Sequence, residues 1–226
     1  MGPRLRWVSW FLLLWAGAAA AAWADDLGAQ VTLPPPELRG AMTVEQALHQ
    51  RRSKREFTAA PLSLADVSQV LWSAQGVTDP RGWRTAPSAG ALAPLVVYLV
   101  AARVAGLPPG EYRYLPPEHA LLPLRSGDLR PELASAALEQ AAVREAPAVL
   151  VIAAVVQRTQ ARYGSRAERF VHMEAGHASQ NVYLQCTARG LATVFVGAFD
   201  ELRLRAALGL PADQVPLGLM PFGRAK

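Results

Sequence analysis

The sequence predicts an α+β layer fold: one domain with a mixed central sheet flanked by helices. Three observations carry this expectation. Two continuous β-branched and apolar runs, 95–102 and 147–156, read as strands buried on both faces. Helical patterns over 128–142 and 158–189 follow strand-like stretches and are too long to be hairpin turns, so they cross over the sheet. The chain has 226 residues, 51% apolar and 18% charged, which suits one sizeable core and excludes a disordered chain.

In chain order, residues 1–24 read as a secretory leader. Arg4 and Arg6 form a positive start, 8–22 is an apolar run, and Ala22-Trp23-Ala24 is a small-x-small cleavage pattern. The apolar run is shorter than the ~20 residues a spanning helix needs, so cleavage after Ala24 is expected in place of a retained anchor. The mature protein is therefore expected in a bacterial periplasm or secreted. Residues 25–41 form a proline-rich arm, with Pro34-Pro35-Pro36 favouring polyproline II. Residues 42–226 form the domain. Thr43 with Gln46 is a capping-box pair opening the first helix, and Ser63 opens a second that Gly76 closes. After the 95–102 run, 112–115 and 120–124 read as a small antiparallel pair. Asp128 caps the 128–142 helix, 191–196 is a strand, Asp200 caps a helix over 201–208, and 215–222 is the last strand.

Composition removes several function classes. The formal charge is +5, and two of those cations, Arg4 and Arg6, belong to the leader. The remaining excess of three, with no basic stripe or reading helix, does not point to nucleic acid. One cysteine, Cys186, excludes an intramolecular disulfide or a cysteine metal cluster; it falls among apolar helix positions and reads as core. His172 and His177 are five apart, not the four that places two ligands on one helix face, so no metal site is expected.

Two stretches carry candidate chemistry. Arg51-Arg52-Ser53-Lys54-Arg55 offers forked guanidinium donors and a hydroxyl to a compact dianion such as a phosphate. The plain alternative is a solvated helix end, where cations suit the negative pole of the helix dipole. The small-residue run Pro87-Ser88-Ala89-Gly90 lets backbone amides approach a flat ligand.

Together, RRSKREF (51–57), GWRTAPSAGALAPLVVYLV (82–100), YGSRAERFVHMEAGHASQNVYLQCTARGLATVFVGAFDE (163–201) and PLGLMPFGR (216–224) resemble the FMN-dependent nitroreductase family. The sub-branch is similar to the thiazole/oxazole-forming (azoline) dehydrogenases and their stand-alone relatives, and the likeness covers residues 40–226. The resemblance implies a nitroreductase-like fold and a homodimer with FMN at the subunit interface. It assigns FMN phosphate and ribityl binding to Arg51, Arg52, Ser53 and Arg55. Pro87, Ser88, Ala89 and Gly90 would meet the flavin of the neighbouring subunit, Val196, Gly197 and Ala198 would form the turn beside the ring, and Arg224 would lie near the phosphate. Two positions depart from the G-A-L-Y-P-L-E run of such relatives: the tyrosine is Ala93 and the glutamate is Val96. A Lys-Tyr base pair is not identifiable.

The implied activity is exchange of a hydride or electron pair between flavin N5 and a small nitroaromatic, quinone, enone or azoline-like molecule. No side chain is assigned as catalytic acid or base. NAD(P)H is the family's electron donor; outside the cytoplasm a protein or quinol donor takes its place. The other reading is a non-catalytic flavin-binding or partner-binding module on the same fold.

Overall fold

The computed structural model describes residues 29–226. The leader expected at 1–24 lies outside the described residues. The arm's expected extended course contains a short edge strand, β1 (Val31–Thr32), which pairs antiparallel with β4.

Helix α1 (Val44–Gln50) opens on the expected capping box: the Thr43 hydroxyl accepts from the Gln46 amide, and the Gln46 side chain accepts from the Thr43 amide. Helix α2 (Leu64–Gln75) opens on a second box formed by Ser63 and Asp66 and ends at Gly76. Then come β2 (Leu95–Ala101), β3 (Gly110–Leu115) and β4 (Ala120–Ser126). Helices α3 (Arg130–Ala136) and α4 (Ala141–Glu145) occupy the stretch expected as one helix. The break falls at Leu138 and Glu139, which both take positive φ (57° and 58°), a conformation a continuing helix cannot contain.

Strand β5 (Ala148–Ala154) leads into α5 (Val156–Tyr163), a single 3-10 turn at Gly164–Arg166, and the long α6 (Ala167–Ala188). The expected continuous helix is thus divided at Gly164 (φ 55°, ψ −133°), a conformation open chiefly to glycine. The chain closes with β6 (Leu191–Thr193), α7 (Glu201–Leu208), whose N-terminal amide at Arg203 donates to Asp200, and β7 (Val215–Arg224).

The sheet order is β1-β4-β3-β2-β5-β7-β6. The α+β layering is as expected, but strand directions are more uniform than a mixed sheet implies. All six pairings of named strands are antiparallel, and the parallel pairing among the described residues is the isolated bridge Leu62–Val104. The α5–α6 crossover explains the difference. It carries the chain from β5 to β6, which run in the same direction, and the C-terminal β7 enters antiparallel between them.

Every residue of β2 and β5 is buried, because helices cover both faces. Leu99, Leu150 and Ile152 pack with Val67, Leu71, Val171, Ala178 and Cys186 of α2 and α6. Val149, Val151 and Ala153 pack on the opposite face with Leu133, Val143, Leu204 and Leu208. Full burial of side chains this size contributes about 1.5–3 kcal/mol each. Cys186 is wholly buried and burial pushes its thiol well up, consistent with a packing role.

Candidate functional site

Tyr183 organises the first half of the site. It lies on α6, one turn before the helix ends, and its hydroxyl accepts the Phe195 amide at 2.7 Å. The same hydroxyl lies 3.0 Å from Ser53 Oγ, and the Arg51 guanidinium stands 5.1 Å from the ring centroid. One side chain therefore joins the basic segment to the approach of the 196–198 turn. The segment also pairs along the sheet end: the Lys54 amide donates to the Thr193 carbonyl, and the Thr58 amide to the Arg224 carbonyl.

Strand β6 was expected to run to Val196 but ends at Thr193. The Phe195 amide goes to Tyr183 instead of to the ladder, and pairing resumes at a Val196–Leu219 bridge. The Phe195 ring then lies over Gly218, where an added Cβ would come within 2.3 Å of it. At Gly197 an added Cβ would meet only the edge of Phe195, at 3.3 Å, among the described residues. The turn is thus bare of side chains on its open side. The Ala198 carbonyl accepts from Gln140 at the start of α4.

The cations of the basic segment divide in role. Arg52 donates to the carbonyls of His49 and Arg51, so it caps the C-terminus of α1, as the plain helix-end reading holds. Arg51 is half-buried against Tyr183, and Arg55 is exposed. Arg224 donates to Asp66 at 2.6 Å, and Arg189 reaches the same carboxylate at 2.9 Å. Burial works to raise Asp66, but bonds from Ser63 and Arg189 and the charge of Arg224 hold it below the ordinary carboxylate value. These three residues line a cavity of about 740 Å³ between the arm, α2 and the end of α6; of the twelve expected site residues only Arg224 borders it.

The Pro87–Gly90 loop is placed elsewhere. His177 Nδ1 lies 3.3 Å from the Pro87 carbonyl, and the Asn181 amide donates to the Thr85 carbonyl. Ser88 Oγ accepts from the Ala93 amide at 2.9 Å. Gly90, Ala91 and Ala93 all take positive φ, a strained backbone path at a short loop. Behind it lies Glu174, 2% exposed, its Oε1 without a hydrogen-bond partner among the described residues. Burial lifts Glu174 to about 7, opposed by the Ser88 hydroxyl and the Arg84 charge. His177 and Tyr183 are six residues apart on one helix, about 9 Å along its axis. One chain therefore joins Arg51 and Ser53 to Phe195 through Tyr183, and anchors Pro87 at a different stretch of the same helix.

The sequence reading did not assign Tyr183 or Glu174. Glu174 had a signal: it shares the 171, 175, 178, 182 stripe, and a carboxylate on a buried helix face needs a purpose. Tyr183 had none, since its two partners lie 130 residues upstream and 12 downstream.

A helix-flanked antiparallel sheet with a basic segment tied to its end through Tyr183 defines an α+β class of protein. The model of the Nitroreductase family matches residues 48–224. A Methanocaldococcus jannaschii protein described as a nitroreductase is 45% identical over 195 residues, covering 86% of this chain and 96% of its own. The chain belongs to the nitroreductase family. The crystal structure of a nitroreductase from Ralstonia eutropha superposes with a TM-score of 0.77 at 33% identity, covering 89% of this chain and 91% of that one. Two structures show the fold at lower identity. The E. coli microcin synthetase complex has a TM-score of 0.67, 22% identity and coverage of 98% and 85%. The NADPH:FMN oxidoreductase of Vibrio harveyi has a TM-score of 0.60, 21% identity and coverage of 81% and 69%. Both likenesses concern the fold.

Proposed function

We propose that the protein is an FMN-dependent oxidoreductase, exported after cleavage at Ala24, that works as a homodimer on a small acceptor or donor. The observation that carries this reading is the Tyr183 tie. It joins Ser53 and Arg51 to the Phe195 amide, two residues before Gly197, which supports a ligand with a phosphate tail at the first and a flat ring at the second. Bound FMN supplies two-electron transfer at its N5. The chain's own contributions follow from the site. Arg51, Arg55 and Ser53 hold the phosphate end, Gly197 keeps the ring's approach open, and the Gly197 and Ala198 amides offer donors beside Val196, whose own amide is held by the Leu219 carbonyl. A partner copy supplies Pro87–Gly90, which a single chain holds apart from the rest of the site.

The flavin residues fit the group they would hold, and membership of a family with an FMN oxidoreductase among its structural neighbours supports the same choice. An exported enzyme takes its electrons from a protein or quinol, whereas NAD(P)H would serve a form retained in the cytoplasm. An absorption spectrum of the purified protein tests the reading. The expected result is a flavin spectrum that bleaches on reduction and returns when a nitroaromatic or quinone is added. A colourless monomer that takes up no added FMN would overturn it.

A further inference from the structure

A second group of arginines lies away from the basic segment, around a cavity of about 290 Å³. Arg84 reaches it from the loop after α2, Arg113 from β3 and Arg158 from α5, with Gln75 from the last turn of α2. None of Arg51, Arg52, Ser53 or Arg55 borders it. Arg84 donates to the Gln75 carbonyl at 3.0 Å and Arg158 to the Ala93 carbonyl at 3.2 Å, which fixes two guanidinium groups and leaves their other donors free to serve the cavity.

The polar groups here are unusually short of partners. Gln75 is 1% exposed, and neither its side-chain oxygen nor its nitrogen has a hydrogen-bond partner among the described residues. Arg84 Nε and Arg113 Nε are buried in the same condition. Buried polar atoms are nearly always paired, because each unpaired one costs about 1–3 kcal/mol. Three of these four atoms, Gln75 Nε2, Arg84 Nε and Arg113 Nε, are donors around one cavity and point to a ligand that accepts hydrogen bonds; Gln75 Oε1 is an acceptor. Charge gives the same sign. Three guanidiniums face one bordering carboxylate, Glu118, which is exposed at the rim; Glu174 acts on Arg84 from outside the lining. Burial, with the Arg158 charge beside it, pulls Arg84 down from its ordinary value against the opposing charges of Glu174 and Glu118, the mark of a cation short of solvation.

Size limits the ligand. A cavity of about 290 Å³ is at the small end of ligand sites, which run from roughly 300 Å³ upward. Ala93 and Val96, the two departures from the relatives' G-A-L-Y-P-L-E run, both border it. A tyrosine at 93 would compete for this space, and a glutamate at 96 would add a carboxylate to the lining.

We propose that this cavity is a binding site for a small oxyanion, inorganic phosphate or the carboxylate of a small organic acid, separate from the 51–55 segment. Planar, forked guanidiniums suit either group, and the Gln75 amide supplies a neutral donor. The site stands on these residues alone and does not depend on flavin binding elsewhere.

Calorimetric titration of the full protein with inorganic phosphate, and separately with acetate, tests it. Saturable binding of at least one is expected, and the tighter of the two tells phosphate from carboxylate. Arg113→Gln combined with Arg158→Gln should weaken binding at least tenfold. Gln75→Leu should weaken it severalfold in a protein that still folds, since that side chain gives up no internal hydrogen bond. Arg51→Gln combined with Arg55→Gln should leave one such site intact. Absence of saturable binding of both anions would overturn the proposal. So would binding that the Arg51/Arg55 variant abolishes and the Gln75 and Arg113/Arg158 variants leave unchanged.

Discussion

The protein holds two arginine-bearing regions, and they are built in opposite ways. The 51–55 segment is contiguous in sequence and mostly exposed, and it is tied to the fold through Tyr183 and the edge of β6. The cavity of Arg84, Arg113 and Arg158 is assembled from three separate elements, and buried unpaired donors line it. Exposed cations are hydrated and cost little to keep, so such a segment can wait for a ligand in open solvent. Arg158 is exposed, but Arg84 and Arg113 are half-buried with their Nε atoms out of solvent, and buried donors lose hydration that an accepting ligand would restore. The difference teaches that a run of basic residues is the easier feature to notice, whereas the scattered set is the one with buried polar atoms left unpaired among the described residues.

The comparison can be broken most sharply at the exposed segment. Arg51→Ala with Arg55→Ala should weaken FMN retention by about a hundredfold or more, given roughly 1.5–3 kcal/mol for each charge-assisted hydrogen bond lost. Secondary structure by circular dichroism should be unchanged; unfolding without FMN would instead make the segment structural. Next in size is Gly197→Leu. Its backbone φ is not in the left-handed region, and an added Cβ meets only the Phe195 ring among the described residues, so the fold should hold while flavin affinity falls about tenfold. Unchanged affinity would move the ring away from this turn.

Tyr183→Phe should act on stability and affinity together. The Phe195 amide loses its acceptor, at about 1–2 kcal/mol. At roughly 2–4 °C per kcal/mol for a chain of this size, a lowered Tm is the measurement. FMN affinity should drop severalfold as Ser53 loses its anchor. The smallest effect is expected at Glu174, and its signature is pH. The folded-state value, about 7, lies above the ordinary 4.5, so the folded protein binds this proton more tightly than the unfolded chain. The protonated form therefore favours folding fully below about 4.5, and that contribution is lost as pH rises through 7. Glu174→Gln keeps the shape without the charge. It should gain stability relative to the wild type by about 1–2 kcal/mol by pH 8, with the gap closing toward pH 4.5. A gap that does not change with pH would remove Glu174 as a titrating group.

Much of the fold was legible. The capping pair Thr43–Gln46 is local and bonds as read, and Ser63 opens the second helix as read, with Asp66 as a box partner the sequence reading did not name. The apolar runs around Leu99 and Leu150 became the fully buried β2 and β5, since burial on two faces leaves no place for alternation. Less legible were the interruptions. Leu138 and Glu139 look like ordinary helix residues, yet their positive φ separates α3 from α4. The shortened β6 depends on a hydroxyl from Tyr183 that no local pattern announces. At the candidate site, the 51–55 segment bonds to Thr193 and, through Tyr183, reaches Phe195, next to the 196–198 turn. The role of Arg52 as a helix cap, the pairing of Arg224 with Asp66, and the separate placement of Pro87–Gly90 became visible only in three dimensions.

By itself the sequence determined which stretches would be helix or strand and which short runs carry cations or bare backbone, because caps, apolar periodicity and glycine act over a few residues. Only the tertiary structure decided which of those runs meet, and it alone assembled Gln75, Arg84, Arg113 and Arg158 around one cavity. Contacts across 30 residues or more are set by the packing of whole elements, and no local pattern records where two packed elements will place their side chains.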